Sequence, residues 1–225
     1  MKVFAHRGFS HRFPEGTRAA YQGAIDAGAD GFECDVRLTR DKEIICFHDR
    51  TLERITGKRR AVSRISAPDL AQLTEFITLQ ELLDMAITYR KDLLIETKHP
   101  VMYAGEIEER VVELLKNRAP EIAAANINIS IMSFSYCATL RLKKHFADVI
   151  KVIKYPFAIL YKPTRDVAID IELLRKHPGI IQRLRPGKIY VWTVNSREDL
   201  RWLKKREISG VITDRPKRAL NILAR

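Results

Sequence analysis

Acidic side chains alternate along one short apolar run near the start of the chain. In Gly31–Arg37, Glu33 and Asp35 are two residues apart, so in a β-strand both side chains point to the same face. Cys34 and Val36 then point to the other face, where apolar side chains pack beneath helices. The spacing therefore predicts two carboxylates on the polar face of a strand.

A third carboxylate follows in a second strand-like run. Glu96 and Lys98 share one face of Asp92–Thr97 and its continuation. Three carboxylates at one rim repel one another unless a positive charge lies between them. Lys98 and Arg7 supply some positive charge, and a divalent cation supplies more. Because carboxylate oxygens are hard ligands, we expect Mg²⁺ or Ca²⁺, with a set of buried salt bridges as the alternative interpretation.

Two histidines and two aromatic residues end other strand-like runs. His6 ends the first run, and His48 follows the run Ile44–Phe47. Two imidazoles beside a carboxylate cluster are typical of an acid–base pair. Trp192 and Phe134 lie near later strand ends, where each fills the core or forms an apolar wall for a substrate.

Positioning these groups at one rim requires a closed parallel sheet. Strand-like runs alternate with helical patterns along the whole sequence, which predicts an α/β protein with a single-domain (β/α)8 TIM barrel over residues 1–225. An open doubly wound sheet is the alternative, but no GxGxxG follows the first strand. The eight predicted strands are Val3–Arg7, Gly31–Arg37, Asp92–Thr97, Asn128–Ser133, Val149–Lys154, Val167–Ile171, Ile189–Val194 and Gly210–Thr213.

Local signals place several of the intervening helices. Thr17 is a candidate N-cap, and Thr78 opens a capping box with Glu81. Glu172–Leu184 is predicted as one helix. The longest stretch without a clear element, residues 50–77, is expected to be a long loop or small insertion, and the ninth apolar run, Ile44–Phe47, is placed in the same connection.

Composition and charge limit the classes of protein to which this chain can belong. The chain has 225 residues, with 40 Lys and Arg against 28 Asp and Glu, and residues 101–225 carry 24 of the basic and 13 of the acidic side chains. Three cysteines without CxxC spacing predict a reducing compartment. Without a signal-like or membrane-length apolar run, we expect a cytoplasmic protein with no stable membrane insertion. A basic nucleic-acid-binding protein is the less favoured reading, because no recognised nucleic-acid module is present.

Taken in order, the motifs form a set that resembles the glycerophosphodiester phosphodiesterase family. They are His6-Arg7-Gly8, Pro14-Glu15-Gly16-Thr17, Gly28-Ala29-Asp30, Glu33-Cys34-Asp35-Val36, Thr39-Arg40-Asp41, His48-Asp49, Leu52-Glu53-Arg54-Ile55-Thr56, Glu96-Thr97-Lys98, Ser133-Phe134, Trp192-Thr193-Val194-Asn195 and Gly210-Val211-Ile212-Thr213-Asp214-Arg215-Pro216. One departure is Gly16, which stands where family members usually have Asn.

The resemblance implies a (β/α)8 barrel that hydrolyses glycerophosphodiesters to glycerol 3-phosphate and an alcohol with a divalent metal. By position, it implies that Glu33, Asp35 and Glu96 bind the metal, while His6 and His48 form the acid–base pair. The remaining roles that it implies are phosphate binding by Arg7 and Lys98, and a wall around the glycerol or alcohol formed by Phe134 and Trp192.

The partner expected from these assignments is a small-molecule phosphodiester and not a nucleic acid. The alternative is a lysophospholipid-directed phosphodiesterase of the same superfamily. Its motivation is the basic stretch Gly57–Val62, which can approach an anionic membrane surface but also fits a solvated basic loop.

Overall fold

Nine strands form one sheet in the computed structural model, which describes residues 1–100 and 105–224. Eight of the strands are parallel, and they close into a barrel because β1 pairs with both β2 and β9. β3 pairs antiparallel with β2, so the ninth run extends the sheet beside the barrel. The strands are β1 (Lys2–His6), β2 (Gly31–Leu38), β3 (Ile44–Cys46), β4 (Asp92–Thr97), β5 (Ile129–Ser133), β6 (Val149–Ile153), β7 (Asp166–Asp170), β8 (Ile189–Trp192) and β9 (Gly210–Thr213).

This arrangement confirms the predicted single-domain (β/α)8 barrel. Eleven α-helices lie in the described residues: α1 (Arg18–Asp26), α2 (Glu53–Thr56), α3 (Ala67–Ala71), α4 (Leu79–Thr88), α5 (Glu106–Asn117), α6 (Ala119–Ala125), α7 (Tyr136–Lys143), α8 (Ile171–Lys176), α9 (Ile180–Leu184), α10 (Arg197–Lys204) and α11 (Pro216–Leu223). Within those residues, no helix has the length and apolar character needed to cross a membrane.

The predicted helix starts at Thr17 and Thr78 are present. The Thr17 hydroxyl accepts from the backbone N–H of Ala20, and Thr78 with Glu81 forms the reciprocal capping box. The single helix predicted over Glu172–Leu184 is wrong, because α8 ends at Lys176 and α9 begins at Ile180. Pro178 lies between them, and a proline inside a helix lacks an N–H donor and clashes with the preceding turn.

Successive side chains of β2 and β4 point alternately into the barrel and toward the surrounding helices, which gives an inner and an outer layer. Cys34, Val36 and Ile95 pack in the outer layer with residues of α1, α4 and α5, as their spacing predicts. The inner apolar layer consists of Phe4, Leu94, Met132, Ile150, Val152, Ala168, Tyr190 and Ile212. Glu33 and Asp35 point away from the outer layer, toward one end of the inner one.

Residues 50–77 contain α2, α3 and a short 3-10 helix at Val62–Arg64. Buried side chains from this stretch, including Leu52, Ile65 and Leu70, pack with Ile45 of β3 in a small core of their own. A β-bridge between Thr51 and Ala61 closes the tip of the stretch. The segment thus rests on β3, beside the rim at which β2 ends.

Candidate active site

The candidate residues gather where neighbouring strands end. In the sheet register His6 of β1 lies opposite Glu33 of β2, and Asp35 of β2 lies opposite Glu96 of β4. Because the carboxyl ends of parallel strands share one rim, three adjacent strands deliver an imidazole and three carboxylates to one place. The structure thus brings together residues that are up to 90 positions apart in the chain.

Three buried carboxylates form a compact cluster at this rim. Glu33, Asp35 and Glu96 each offer an oxygen, and these oxygens lie within 4.8 Å of one another. Nζ of Lys98 lies 2.9 Å from Oδ1 of Asp35 and 2.7 Å from Oε1 of Glu96. Nε of Arg7 lies 2.7 Å from Oδ2 of Asp35. Two cations therefore face three carboxylates.

The pKa values of the three carboxyl groups shift in different directions. Burial raises the pKa of Glu33 well above its ordinary value, and the neighbouring Asp35 and Glu96 raise it further. The same causes raise the pKa of Glu96 to about 7, against the opposing effect of Lys98. For Asp35, burial acts to raise the pKa, but the charges of Lys98 and Arg7 outweigh it and lower the pKa.

The carboxylate cluster fits a divalent cation. Oδ2 of Asp35 is buried and faces Nε of Arg7 at 2.7 Å, but the two atoms form no regular hydrogen bond. A lone pair of this oxygen is therefore left for a further cation. The donor set of Glu33, Asp35 and Glu96 is entirely oxygen, which suits a hard ion such as Mg²⁺ or Ca²⁺.

A carboxylate from the opposite end of the chain orients His6. Nδ1 of His6 lies 2.6 Å from Oδ1 of Asp214, and Asp214 also accepts from Asn195 at 2.6 Å and from Ser10 at 3.1 Å. Burial acts to raise the pKa of Asp214, but the hydrogen bond and charge of His6 prevail and lower it to about 2. Nε2 of His6 is left facing the acidic cluster, 3.9 Å from Oε2 of Glu33.

A second carboxylate orients His48 in the same manner. Nδ1 of His48 lies 2.7 Å from Oδ1 of Asp49, whose other oxygen accepts from Nε of Arg54 at 2.5 Å. Arg54 in turn pairs with Glu15 at 2.5 Å. Burial lowers the pKa of His48, and the negative charge of Asp35 partly opposes that effect. Both histidines therefore hold a carboxylate on Nδ1, which leaves Nε2 available for proton transfer.

The turn after β1 places Arg7 between the two histidines. Arg7 has a φ of 56°, in the left-handed region, and its backbone N–H donates to the backbone oxygen of Glu33 and to its Oε2. The Arg7 guanidinium donates to Glu15 at 3.2 Å. These two side chains line a cavity of about 560 Å³ that contains His6, and also a much smaller one that contains His48. The Arg7–Glu15 pair thus stands between the two imidazoles.

Aromatic side chains and Lys98 form the opposite side of the rim. The rings of Phe134 and Trp192 meet edge to face with centroids 5.4 Å apart. Nζ of Lys98 lies 5.9 Å from the centroid of Phe134, and the indole N–H of Trp192 donates to Ala168 O at 3.1 Å. Phe134 remains 41% exposed, so this pair presents apolar surface beside the charged cluster.

Five residues around the site had no role in the sequence analysis. Asp214 holds His6 and Asn195 holds Asp214, while Asp49, Arg54 and Glu15 form a chain of charges behind His48. All five lie inside the quoted motifs, and Asp49 directly follows His48. Their adjacency to predicted site residues was the available signal, but their contacts depend on how the barrel closes.

Comparison with known proteins gives a consistent result. The model of the "Glycerophosphoryl diester phosphodiesterase family" matches residues 6–218. The chain is 30% identical to the "Probable glycerophosphodiester phosphodiesterase 1" of Mycobacterium tuberculosis, covering 96% of this chain and 90% of that protein. It is 31% identical to a glycerophosphodiester phosphodiesterase of Caldanaerobacter subterraneus, covering 98% and 97% of the two chains.

Solved structures share the fold. A glycerophosphodiester phosphodiesterase from Thermotoga maritima superposes with a TM-score of 0.80 at 27% identity, covering 100% of this chain and 98% of that one. A phosphodiesterase from Oleispira antarctica, solved with the product sn-glycerol-3-phosphate, superposes with a TM-score of 0.86 at 22% identity, covering 100% and 97%. The likeness to this second protein concerns the fold alone.

Proposed function

The chain belongs to the glycerophosphoryl diester phosphodiesterase family, and from that premise we propose that it hydrolyses glycerophosphodiesters to glycerol 3-phosphate and an alcohol. The observation that carries the proposal is the pairing of two carboxylate-bound histidines with one buried acidic cluster at the barrel rim. We assign His6 and His48 to proton transfer and Glu33, Asp35 and Glu96 to a divalent metal.

A phosphodiester is an anion, so its cleavage needs charge neutralisation more than a strong nucleophile. Arg7 and Lys98 are the cations nearest the cluster, at 2.7 and 2.9 Å from Asp35. The planar guanidinium of Arg7 suits bidentate contact with two phosphate oxygens, and the ammonium of Lys98 acts as a point charge. Both therefore hold and orient the phosphate in this proposal.

Proton transfer falls to the two Nε2 atoms. One imidazole takes a proton from the nucleophile, either water or a neighbouring substrate hydroxyl, and the other protonates the departing alcohol. Asp214 and Asp49 accept from the Nδ1 atoms, which fixes the ring orientation and stabilises whichever imidazole becomes charged. Glu15, between Arg7 and Arg54, keeps the guanidinium of Arg7 on its side of the site.

Glu33, Asp35 and Glu96 are the residues that would hold the metal, and Mg²⁺ or Ca²⁺ bound there would supply positive charge to a phosphate oxygen. Phe134 and Trp192 offer an apolar wall to the glycerol or alcohol group. The small-molecule substrate thus lies between a charged half and an apolar half of the rim.

A product assay tests this function directly. The purified protein is given glycerophosphocholine, glycerophosphoethanolamine and glycerophosphoglycerol, with and without divalent metal, and glycerol 3-phosphate is measured by a coupled enzyme. We expect metal-dependent release of glycerol 3-phosphate from at least one member. No release from any member with any of Mg²⁺, Ca²⁺ or Mn²⁺ would refute the proposal.

A further inference from the structure

The connection between β6 and β7 exposes large apolar and aromatic side chains to solvent. Tyr155, Phe157, Leu160 and Tyr161 are 57%, 64%, 78% and 67% exposed. The neighbouring Ile159, together with Ala158, packs against the buried core. The segment 154–162, here called the rim loop, is therefore anchored on one side while its largest apolar side chains point outward.

Apolar exposure continues on the adjoining segment that follows β5. Phe134, Tyr136 and Leu140 are 41%, 47% and 40% exposed. Nζ of Lys143 in α7 donates to Pro163 O at 2.6 Å, just beyond the rim loop, and Lys151 of β6 donates to Phe134 O. These bonds hold the two segments side by side. A clustered apolar surface of this kind marks an interaction site, whereas single exposed apolar residues do not.

The charges around this surface have one sign. Residues 134–165 contain seven Lys and Arg and one acidic residue, Asp148, but Lys151 is buried and the residues that end α7 or precede β7 lie at the other end of the barrel. Asp148 precedes β6, so it lies at the end of the barrel opposite the rim loop, while Lys154 and Lys162 flank the exposed side chains in sequence. The surface is therefore both apolar and cationic.

The rim loop begins at the active-site end of the barrel. It follows the carboxyl end of β6, and the carboxyl ends of β1, β2 and β4 carry His6, Asp35 and Glu96 at the same rim. Phe134 connects the two regions, because it contacts Trp192 of the candidate site and its backbone oxygen accepts from Lys151. A partner bound to the loop would therefore be adjacent to the mouth of the site.

Charge and side-chain type together select the partner. A second copy of the chain would set Lys154 and Lys162 against the same two cations, which disfavours self-association through this surface. Single-stranded nucleic acid would use the aromatic rings and lysines, but it gains little from Leu140 and Leu160. Tyr and Phe suit the interfacial zone of a bilayer, Leu suits its hydrocarbon edge, and Lys suits anionic headgroups.

We propose that the rim loop docks the protein reversibly on the surface of an anionic lipid bilayer. Phe157, Leu160 and Tyr161 enter the headgroup region, and Lys154 and Lys162 contact anionic headgroups. Docking brings the mouth of the site to the bilayer surface, which gives it access to glycerophosphodiesters that still carry one acyl chain. This last consequence rests on the proposed function, whereas the docking itself does not.

Vesicle sedimentation tests the docking without turnover. The full chain is mixed with vesicles of phosphatidylglycerol and phosphatidylcholine, or of phosphatidylcholine alone. We expect binding to the anionic vesicles, at least about tenfold weaker binding to the zwitterionic ones, and weakening by added salt. The double variant Phe157→Ser/Leu160→Ser should bind about tenfold more weakly or worse, because it removes two apolar side chains from the interface.

A matched control is Tyr89→Ser. Tyr89 is 45% exposed and precedes β4, at the opposite end of the barrel, so its variant should bind vesicles like the wild type. Turnover of soluble glycerophosphocholine should be unchanged in the double variant, whereas turnover of lysophosphatidylcholine in anionic vesicles should fall. Vesicle binding without any phosphodiesterase activity would leave the docking intact and refute only the proposed function.

Three outcomes would overturn the docking. The first is failure of the wild type to bind anionic vesicles, and the second is equal binding by the double variant. The third is a wild-type dimer or a single-stranded nucleic-acid complex that the double variant abolishes while vesicle binding persists. Size-exclusion chromatography with light scattering and a fluorescence titration with an oligonucleotide distinguish the last two partners.

Discussion

Nδ1 of His6 lies 2.6 Å from Oδ1 of Asp214, although 208 positions separate these residues in the chain. The bond spans the place where β1 and β9 pair to close the barrel. Because a carboxylate only accepts hydrogen bonds, it fixes the Nδ1–H tautomer of His6 and directs Nε2 toward the acidic cluster. Asp214 therefore acts as a positioning residue for His6.

Replacing this carboxylate should impair turnover without unfolding the protein. We expect Asp214→Asn to lower kcat/KM by ~10–100-fold, because the amide no longer fixes the ring or stabilises its charged form. The acid limb of the pH–rate profile should also move, which a purely structural defect would not produce. Asp148→Asn, at an exposed position away from the rim, is the control. Unchanged kinetics and an unchanged profile would exclude the positioning role.

Removal of either imidazole should be more damaging. His6→Ala and His48→Ala should each lose ~10²–10⁴ in kcat, the range for a general acid or base, while circular dichroism and Tm stay near the wild-type values. His145→Ala provides the comparison, since this exposed histidine lies on the segment after α7. Near-normal turnover in a folded His6 or His48 variant would show that the residue does not transfer the proton.

Chelation should separate metal binding from catalysis. EDTA should abolish activity, and Mg²⁺ or Ca²⁺ should restore it and raise the Tm of the chelated protein.

Glu33→Gln should be inactive yet raise the Tm in EDTA at pH 7. Burial and two neighbouring carboxylates raise the pKa of Glu33, so this carboxylate, which is charged in the unfolded chain, destabilises the folded state. Full activity in EDTA, or metal-induced stabilisation that Glu33→Gln leaves intact, would contradict the metal assignment.

Glu108 should make stability depend on pH. This buried α5 residue pairs with His99 at 2.5 Å and Arg141 at 3.3 Å. Burial acts to raise its pKa, but these partners prevail and lower it below the ordinary 4.5. Its contribution to the free energy of unfolding is therefore present above pH 4.5 and lost as the pH falls through the lowered pKa.

Glu108→Gln should thus cost about 1–3 kcal/mol at pH 7, and the cost should shrink as the pH is lowered to 3, as measured by urea unfolding. The matched control is the exposed neighbour Glu109→Gln, which should be nearly neutral at both pH values. An equal loss for Glu108→Gln at both pH values would mean that the pairing is not electrostatic.

Gly8 and Gly57 both have a left-handed backbone, but an added side chain would collide with its neighbours only at Gly8. Gly8 has a φ of 83°, and an added Cβ would lie 2.6 Å from backbone and side-chain carbons of Ala20. Gly57 has a φ of 74° with nothing within 4 Å of an added Cβ. We expect Gly57→Ala to cost about 1 kcal/mol and Gly8→Ala clearly more, with a loss of activity because Gly8 follows Arg7. Equal Tm losses would mean that α1 simply moves aside.

The sequence predicted the strands and the faces of their side chains, because alternation within a strand depends only on neighbouring residues. The two-residue spacing of Glu33 and Asp35 was sufficient to place both on the inner face of β2. The break at Pro178 was also readable from the sequence and was missed because apolar spacing continued on both sides of it. The His6–Asp214 contact had no local signal, since it exists only after the barrel closes.

The pairing of Lys2 with Gly210 and of Ala5 with Thr213 has a consequence for synthesis on the ribosome. A nascent chain makes β1 before the other strands of the barrel but cannot complete the sheet until β9 emerges. Until then β1 presents an open edge of the kind that invites pairing with other chains, and His6 has no carboxylate partner. Premature termination before β9 should therefore yield a species prone to aggregate, in which His6 lacks the carboxylate that orients it.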